Sequence, residues 1–202
     1  MKKRKDAFTV YFAGALFKYG ELAGNLLLAK AIDTASKGEF SCVLPQDFEH
    51  REPGDYRAIR DADFKMLLDC DCALFNFDGL ELDSGTVAEF MFAKSIDMPC
   101  VLLRSDFRHS GDQGGAGEPW NLMCSFHPRT ETALFNPLAD YARLKGSKNP
   151  ERIASALAQK LAACAVKSLR KAVASKPLPK GGLQGARTIF QWAVKSRGRS
   201  FE

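Results

Sequence analysis

A strand, a carboxylate-rich loop and a helix follow one another within residues 71–89, and this unit constrains the fold more than any other stretch. Residues 73–77 form an apolar run of strand length, Asp78-Gly79 is a turn pair, and residues 86–96 carry enough apolar side chains for a buried helix. In an open parallel sheet, ligands bind where loops leave the carboxyl ends of the strands. The loop therefore predicts a site with several carboxylates, suited to chemistry on a neutral or cationic centre.

The remainder of the first 145 residues repeats the alternation of strand and helix. Strand patterns cover residues 8–12, 40–44 and 100–103, and helical patterns cover residues 21–36 and 57–69. Such an alternation is typical of an α/β fold with three layers, in which helices cover both faces of a doubly wound parallel sheet through right-handed crossovers.

The C-terminal part of the chain differs in charge and pattern. Residues 151–202 hold 11 Lys or Arg and 2 acidic residues, whereas the preceding 150 residues have a net charge of −4. We therefore expect a catalytic domain over residues 1–145 and a basic helical extension over residues 146–202, with a last short helix at 186–197, that packs on the body or on a neighbouring subunit. An acidic body is a poor surface for nucleic acid, because binding a polyanion requires Lys and Arg.

Several classes of ligand and location are not indicated by the sequence. The turn at Gly14 lacks the G-x-G-x-x-G spacing of a dinucleotide site and the G-K of a P-loop, so we expect no cofactor. The six cysteines include no C-x-x-C pair and the three histidines lack metal-ligand spacing, so we expect no metal site. With no apolar run of about 20 residues and no signal-peptide core, a cytoplasmic protein without a membrane segment is expected.

Two acidic side chains have more than one interpretation. Asp63 falls inside the apolar stripe of its predicted helix and should point toward the sheet or its cleft. A buried carboxylate is costly, so Asp63 is either a hydrogen-bonded structural anchor or a general acid with a raised pKa. The pattern alone favours a structural role for Glu89, as half of a T-x-x-E capping box with Thr86.

An ordered set of short motifs over about residues 8–135 resembles the nucleoside 2-deoxyribosyltransferase family. The motifs are YFAGALF from Tyr11 to Phe17, LPQ ending at Gln46, the helix of Asp63, DG-x4-SGT-x2-E ending at Glu89, RSDFR from Arg104 and NLM from Asn121. The resemblance implies a flavodoxin-like fold and the exchange of nucleobases on 2′-deoxyribonucleosides through a covalent deoxyribosyl-glutamate, with retention. It also implies homo-oligomers with shared active sites, acting on deoxyribonucleosides and free nucleobases.

The resemblance also assigns roles to individual residues. It makes Glu89 the nucleophile, Asp63 the acid and base, and Tyr11 the hydroxyl that orients Glu89. Asp83 is expected to bind the sugar 5′-hydroxyl and Asn121 to reach the same end of the sugar from a neighbouring subunit. The other expected substrate contacts are Phe17 and Gln46 on the base, with Gly14 and Gly85 in the adjoining loops.

Two other functions fit parts of this pattern. In a 2′-deoxynucleoside 5′-monophosphate N-glycosidase, water takes the sugar from the glutamate, and a helix start near Gly85 can accept a phosphate. Asp83 argues against that enzyme, because a carboxylate repels a phosphate dianion. A non-catalytic nucleotide-binding module is the third interpretation, and the joint presence of Tyr11, Asp63 and Glu89 weighs against it. Ala15 stands where many relatives have proline, which leaves base preference open.

Overall fold

Five parallel strands form one sheet in the order β2-β1-β3-β4-β5. The computed structural model describes residues 7–48, 55–108, 111–113, 117–146 and 149–177. The strands are Phe8–Ala13 (β1), Phe40–Val43 (β2), Cys72–Asn76 (β3), Cys100–Arg104 (β4) and Thr130–Leu134 (β5), and the helices are Tyr19–Ala35 (α1), Tyr56–Leu68 (α2), Ser84–Ser95 (α3), Pro137–Leu144 (α4) and Pro150–Ala174 (α5). This is the flavodoxin-like strand order, with its topological switch point between β1 and β3. The predicted α/β fold is confirmed.

The two faces of the sheet have separate cores. On β1, Val10 and Phe12 join the core under α1 and α5, whereas Tyr11 and Ala13 join the core that includes residues of α2 and α3. This division follows from the alternation of side chains along a strand. Tyr11 is therefore delivered to the α2 and α3 side of the sheet, close to the switch point.

Helix α5, in the C-terminal extension, is part of the core. Its buried face is built largely from alanines, and these small side chains share one apolar cluster with β1 and α1; the buried apolar residues of α5 are Ala162, Ala165, Val166, Leu169 and Ala172. The described part of the extension, residues 149–177, therefore packs on the body. The short helix predicted at 186–197 lies outside the described residues. Among the described residues, no helix has the apolar length needed to cross a bilayer.

Helix α3 begins two residues earlier than the sequence predicted, and its cap differs from the expected one. Its N-cap is Asp83, whose Oδ2 accepts hydrogen bonds from the backbone N–H and from the hydroxyl of Thr86, both at 2.8 Å. An aspartate at this position satisfies an amide that the helix itself cannot. The predicted capping box between Thr86 and Glu89 is therefore wrong, because Glu89 lies beyond the first turn and is available for another contact.

Candidate active site

Tyr11 and Glu89 form a short polar contact beside the switch point. The hydroxyl of Tyr11 donates a hydrogen bond of 2.6 Å to Oε1 of Glu89. Tyr11 is fully buried, and Glu89 is held beside it because Thr86, Phe90 and Ala93 bury the inner face of α3. Glu89 falls three residues after Thr86, so it lies along the same side of the helix. The contact joins residues 78 positions apart in the sequence.

The surroundings of Glu89 favour its neutral form. The pKa of Glu89 is raised from about 4.5 to about 7: burial raises it most, the hydrogen bond from Tyr11 lowers it, and the negative charges of Asp63 and Asp83 raise it. Burial, followed by the charge of Glu89, holds the pKa of Tyr11 far above its usual range, so Tyr11 remains a hydrogen-bond donor. A carboxyl group poised near neutrality in a cleft is a frequent property of functional sites.

Asp63 is the second carboxyl group of the site. It lies on α2, four residues before the buried Leu67, and is itself half-buried. Its charge raises the pKa values of both Tyr11 and Glu89, which places it near both groups. The structure therefore brings together Tyr11, Asp63 and Glu89, three residues predicted to act in catalysis, from β1, α2 and α3.

Comparison with known families gives this arrangement a context. The family model described as nucleoside 2-deoxyribosyltransferase matches residues 10–123, which is more than half of the chain and contains every predicted site residue. The chain belongs to this family. No curated protein sequence matches the chain significantly.

Several solved structures resemble this member of the nucleoside 2-deoxyribosyltransferase family. A 2-deoxyribosyltransferase from Leishmania mexicana is 20% identical, with a TM-score of 0.48, over 70% of this chain and 99% of that one. A 2-deoxyribosyltransferase from Bacillus psychrosaccharolyticus is 16% identical, with a TM-score of 0.47, over 72% and 95%. A CMP N-glycosidase from Clostridium botulinum, BcmB, is 15% identical, with a TM-score of 0.43, over 68% and 97%.

Asp83 and Phe17, two of the residues expected to bind substrate in this family, line one cavity of about 860 Å³. The cavity lies beside the switch point, between the loops that follow β1 and β3, and it reaches Leu28 of α1 and Leu161 of α5. Its volume is within the range typical of small-molecule sites. Phe17 is 70% exposed, so its ring is available to a ligand.

Gln46 already makes two contacts with the protein. It lies in a short 3-10 helix, Pro45–Asp47, where its Oε1 accepts from Nδ2 of Asn25 at 3.2 Å and its Nε2 donates to the carbonyl of Leu22 at 3.1 Å. Asn25 also donates to the carbonyl of Ala15 at 3.1 Å and is only 6% exposed. Sequence reasoning missed Asn25, although it is a polar residue in line with the apolar Leu28 and Ile32 on α1.

The remaining predicted residues have local structural roles. A Cβ at Gly14 would lie 3.0 Å from Cβ of Asn76, so glycine lets the exits of β1 and β3 approach each other. A Cβ at Gly85 would lie 3.2 Å from Oδ2 of Asp83. Asn121 is exposed, and its side chain caps a 3-10 helix by accepting from the backbone N–H of Met123 at 2.9 Å.

A second carboxylate network, anchored on Asp78, also escaped sequence reasoning. Asp78 follows β3 and accepts three hydrogen bonds from the chain that leaves β4: from the backbone N–H and the hydroxyl of Ser105 at 2.5 and 2.6 Å, and from the backbone N–H of Asp106 at 2.8 Å. Arg104 strengthens the same junction by donating to the carbonyl of Phe77. The loop between β3 and α3 is thus fixed at its first residue. Within the described residues, no cluster of His, Cys, Asp and Glu is arranged to hold a metal ion.

Proposed function

We propose that this protein is a nucleoside 2-deoxyribosyltransferase that exchanges the nucleobase of a 2′-deoxyribonucleoside for a free base. The observation that carries the proposal is the 2.6 Å hydrogen bond from Tyr11 to Glu89, with Asp63 close enough to influence both groups. A buried tyrosine that donates to one oxygen of a carboxylate leaves the other oxygen to meet a sugar carbon.

The first half of the reaction breaks the bond between the sugar and the base. The free oxygen of Glu89 bonds to C1′ as the C1′–N bond breaks, and the bonding electrons leave with the base, which takes a proton from Asp63. A carboxylate suits this step because the sugar carbon becomes positively charged in the transition state. The products are a free base and a deoxyribosyl ester of Glu89.

The second half reverses these events with a different base. A ring nitrogen of the incoming base attacks C1′, Asp63 accepts the proton of that nitrogen, and Glu89 leaves as a carboxylate. Two inversions at C1′ retain the configuration of the sugar, as in retaining glycosidases. Glu89 must be ionised to start the cycle, and its raised pKa of about 7 means that the protonated, unreactive form accumulates as pH falls below neutrality.

The position of Asp83 favours a substrate without a 5′-phosphate. Its Oδ2 holds the amide and hydroxyl of Thr86, so the first turn of α3 already has an anionic cap where a phosphate would otherwise bind. A sugar 5′-hydroxyl can donate to Asp83, whereas a 5′-phosphate would be repelled. We therefore do not favour the monophosphate N-glycosidase.

We further propose a homo-oligomer in which a second copy of the chain completes the site. Asn121 begins an exposed apolar segment in which Met123 is 67% and Phe126 82% exposed. A cluster of this kind next to a predicted substrate residue suits contact with another subunit. We place the enzyme in the cytoplasm, in the reuse of nucleosides and bases.

The test is chromatography of the purified protein after incubation with deoxyinosine and adenine, with deoxyinosine alone, and with deoxyadenosine monophosphate alone. We expect deoxyadenosine only in the first sample, and none with Glu89→Ala. The half-buried Glu118 lies outside the described site. Glu118→Ala is the matched control and should behave as the unmodified chain.

If free base is released from the monophosphate and no exchange occurs, the protein is a monophosphate N-glycosidase and the proposal is wrong. No product in any sample, together with undiminished nucleoside binding by Glu89→Ala, would support the binding module instead.

A further inference from the structure

Asn25 is a buried amide that links two loops expected to hold the base. It lies on the inner face of α1, in line with Leu28 and Ile32, and is 6% exposed. Its Nδ2 donates to the carbonyl of Ala15, two residues before Phe17, and to Oε1 of Gln46. A polar side chain in such an apolar face is costly unless it is hydrogen-bonded, and these contacts satisfy its donor atom.

The hydrogen-bond partners determine which way both amides point. The carbonyls of Ala15 and Leu22 can only accept, so the atom of Asn25 that faces Ala15 is its nitrogen, and the atom of Gln46 that faces Leu22 is its nitrogen. Gln46 therefore turns its oxygen toward Asn25. The Leu22 carbonyl and the donor that Asn25 supplies together fix the orientation of the Gln46 amide.

Gln46 still has hydrogen-bonding capacity for a ligand. A glutamine amide has two N–H donors and two oxygen lone pairs, and the contacts with Leu22 and Asn25 use one of each. The remaining N–H and lone pair suit a base edge that offers an acceptor next to a donor. The ring nitrogen N7 and the 6-amino group of adenine are such an edge, and a glutamine can bind both atoms at once.

We propose that Asn25 is a positioning residue for base recognition, which orients Gln46 to bind 6-aminopurines through one donor and one acceptor. The proposal rests on the function proposed above and on the expectation, from the family resemblance, that Gln46 contacts the base. Asn25 lines the same cavity as Phe17 and Asp83, but it lies on α1, whereas the residues proposed for the chemical step come from β1, α2 and α3. Its loss should therefore weaken the binding of adenine and leave the chemical step nearly unchanged.

The test measures the dissociation constants of adenine and of unsubstituted purine by calorimetry, for the intact chain and for Asn25→Ala, Asn25→Leu and Gln46→Ala. Purine keeps N7 but lacks the 6-amino donor, so it can use only half of the Gln46 amide. We expect both Asn25 variants to bind adenine about tenfold more weakly and to bind purine within about threefold of the intact chain. Asn25→Leu keeps the bulk of the side chain, which guards against an effect of a cavity.

Three further measurements separate positioning from a general structural role. The double variant Asn25→Ala/Gln46→Ala should bind adenine no more weakly than Gln46→Ala alone, because both changes remove one interaction. In the exchange assay, KM for adenine should rise while kcat and its pH dependence stay the same. Thr34→Ala removes an exposed hydroxyl near the C-terminal end of α1, the helix that carries Asn25, and should leave adenine binding unaltered.

Equal losses for adenine and purine, additive losses in the double variant, or a lower kcat with unchanged adenine affinity would each overturn the proposal. If the intact chain performs no exchange, the proposed function is refuted. The adenine-binding measurements would still test whether Asn25 orients Gln46.

Discussion

Two carboxyl groups that follow β3 have opposite environments, and the contrast explains which of them can do chemistry. Asp78 accepts three hydrogen bonds from Ser105 and Asp106, whereas Glu89 accepts one, from Tyr11, and has two further carboxylates nearby. A carboxylate that accepts three hydrogen bonds has its oxygens occupied and is held in one place. One with a single donor, in a buried setting, keeps a reactive oxygen and a pKa of about 7.

Along the segment from β3 to α3, the residues that fix the loop differ from the residue that carries the reactive carboxyl group. The junction of Asp78 with the chain leaving β4 fixes the start of the loop, and the cap formed by Asp83 fixes its end. Glu89, one turn into α3, is thus positioned without having its charge neutralised. Substitutions of Asp78 and of Glu89 should therefore have different effects on activity and on stability.

The largest effect is expected from replacing the reactive carboxyl group. Glu89→Gln keeps an acceptor for Tyr11 but cannot form the sugar ester, so exchange should fall about 10⁴-fold or more, as for other nucleophiles in catalytic constellations. Asp78→Asn should lower the rate far less, because Asp78 lines the cavity and holds the loop but forms no bond to the sugar carbon. The measurement is the initial rate of deoxyadenosine formation, and comparable losses in the two variants would contradict the distinction.

The next effect concerns the proton that Asp63 gives to the departing base. Asp63→Asn should slow exchange from deoxyinosine by about 10²- to 10³-fold, the usual contribution of a general acid. With 7-methyl-2′-deoxyguanosine the loss should be much smaller, because that base already carries a positive charge and leaves without protonation. Both rates are measured as release of the base in a single turnover. An equal loss on the two substrates would restore the role of Asp63 as a structural anchor.

How far the sequence predicted these features depends on the range of the contacts involved. Strands β1, β3 and β4 were recognisable because burial makes them apolar, with Leu74, Phe75 and Leu102 nearly inaccessible to solvent. Strand β5 was missed because Ala133 is its one buried residue, and α4 because it has none. Both elements lie at the margin of the fold, where few side chains are buried, so their sequences show little hydrophobic periodicity.

The candidate site shows the same limit. The T-x-x-E spacing of Thr86 and Glu89 satisfies a local rule, and only the position of Tyr11, on another strand, reveals that Glu89 has a different partner. Motif resemblance supplied Tyr11, Asp63 and Glu89, whereas the links from Asn25 to Gln46 and from Asp78 to Ser105 depend on how separate loops meet. The hydrophobic periodicity of one segment does not predict its contacts with another loop.

The stability of the fold should also distinguish the two carboxyl groups. Glu89 has a folded pKa of about 7, above its ordinary 4.5, so the native state binds its proton more tightly than the unfolded chain. The resulting stabilisation is full below pH 4.5 and is lost as pH rises through 7. At pH 8 the intact chain should be less stable than Glu89→Gln by up to about 3 kcal/mol, since each pKa unit corresponds to about 1.4 kcal/mol.

Asp78→Ala should instead destabilise the fold at both pH 5 and pH 8, by about 1–3 kcal/mol, because it removes the oxygen that accepts from the backbone N–H groups of Ser105 and Asp106. Urea unfolding of both variants at the two pH values provides the measurement. A benefit from Glu89→Gln that is as large at pH 5 as at pH 8 would show that burial does not raise the Glu89 pKa.

The smallest effect is expected at the single donor of Glu89. Tyr11→Phe keeps the buried ring but removes the hydroxyl, which now lowers the Glu89 pKa by stabilising its anion. That pKa should therefore rise, so the fraction of ionised Glu89, and with it kcat/KM, should fall about tenfold near pH 7 and less at pH 9. The pH dependence of kcat/KM on deoxyinosine measures the shift, with Phe75→Leu, a change in the same core that leaves Tyr11 in place, as control. A uniform loss at every pH would mean that Tyr11 orients Glu89 without tuning its charge, and a midpoint moved to lower pH would contradict the direction of the hydrogen bond's effect.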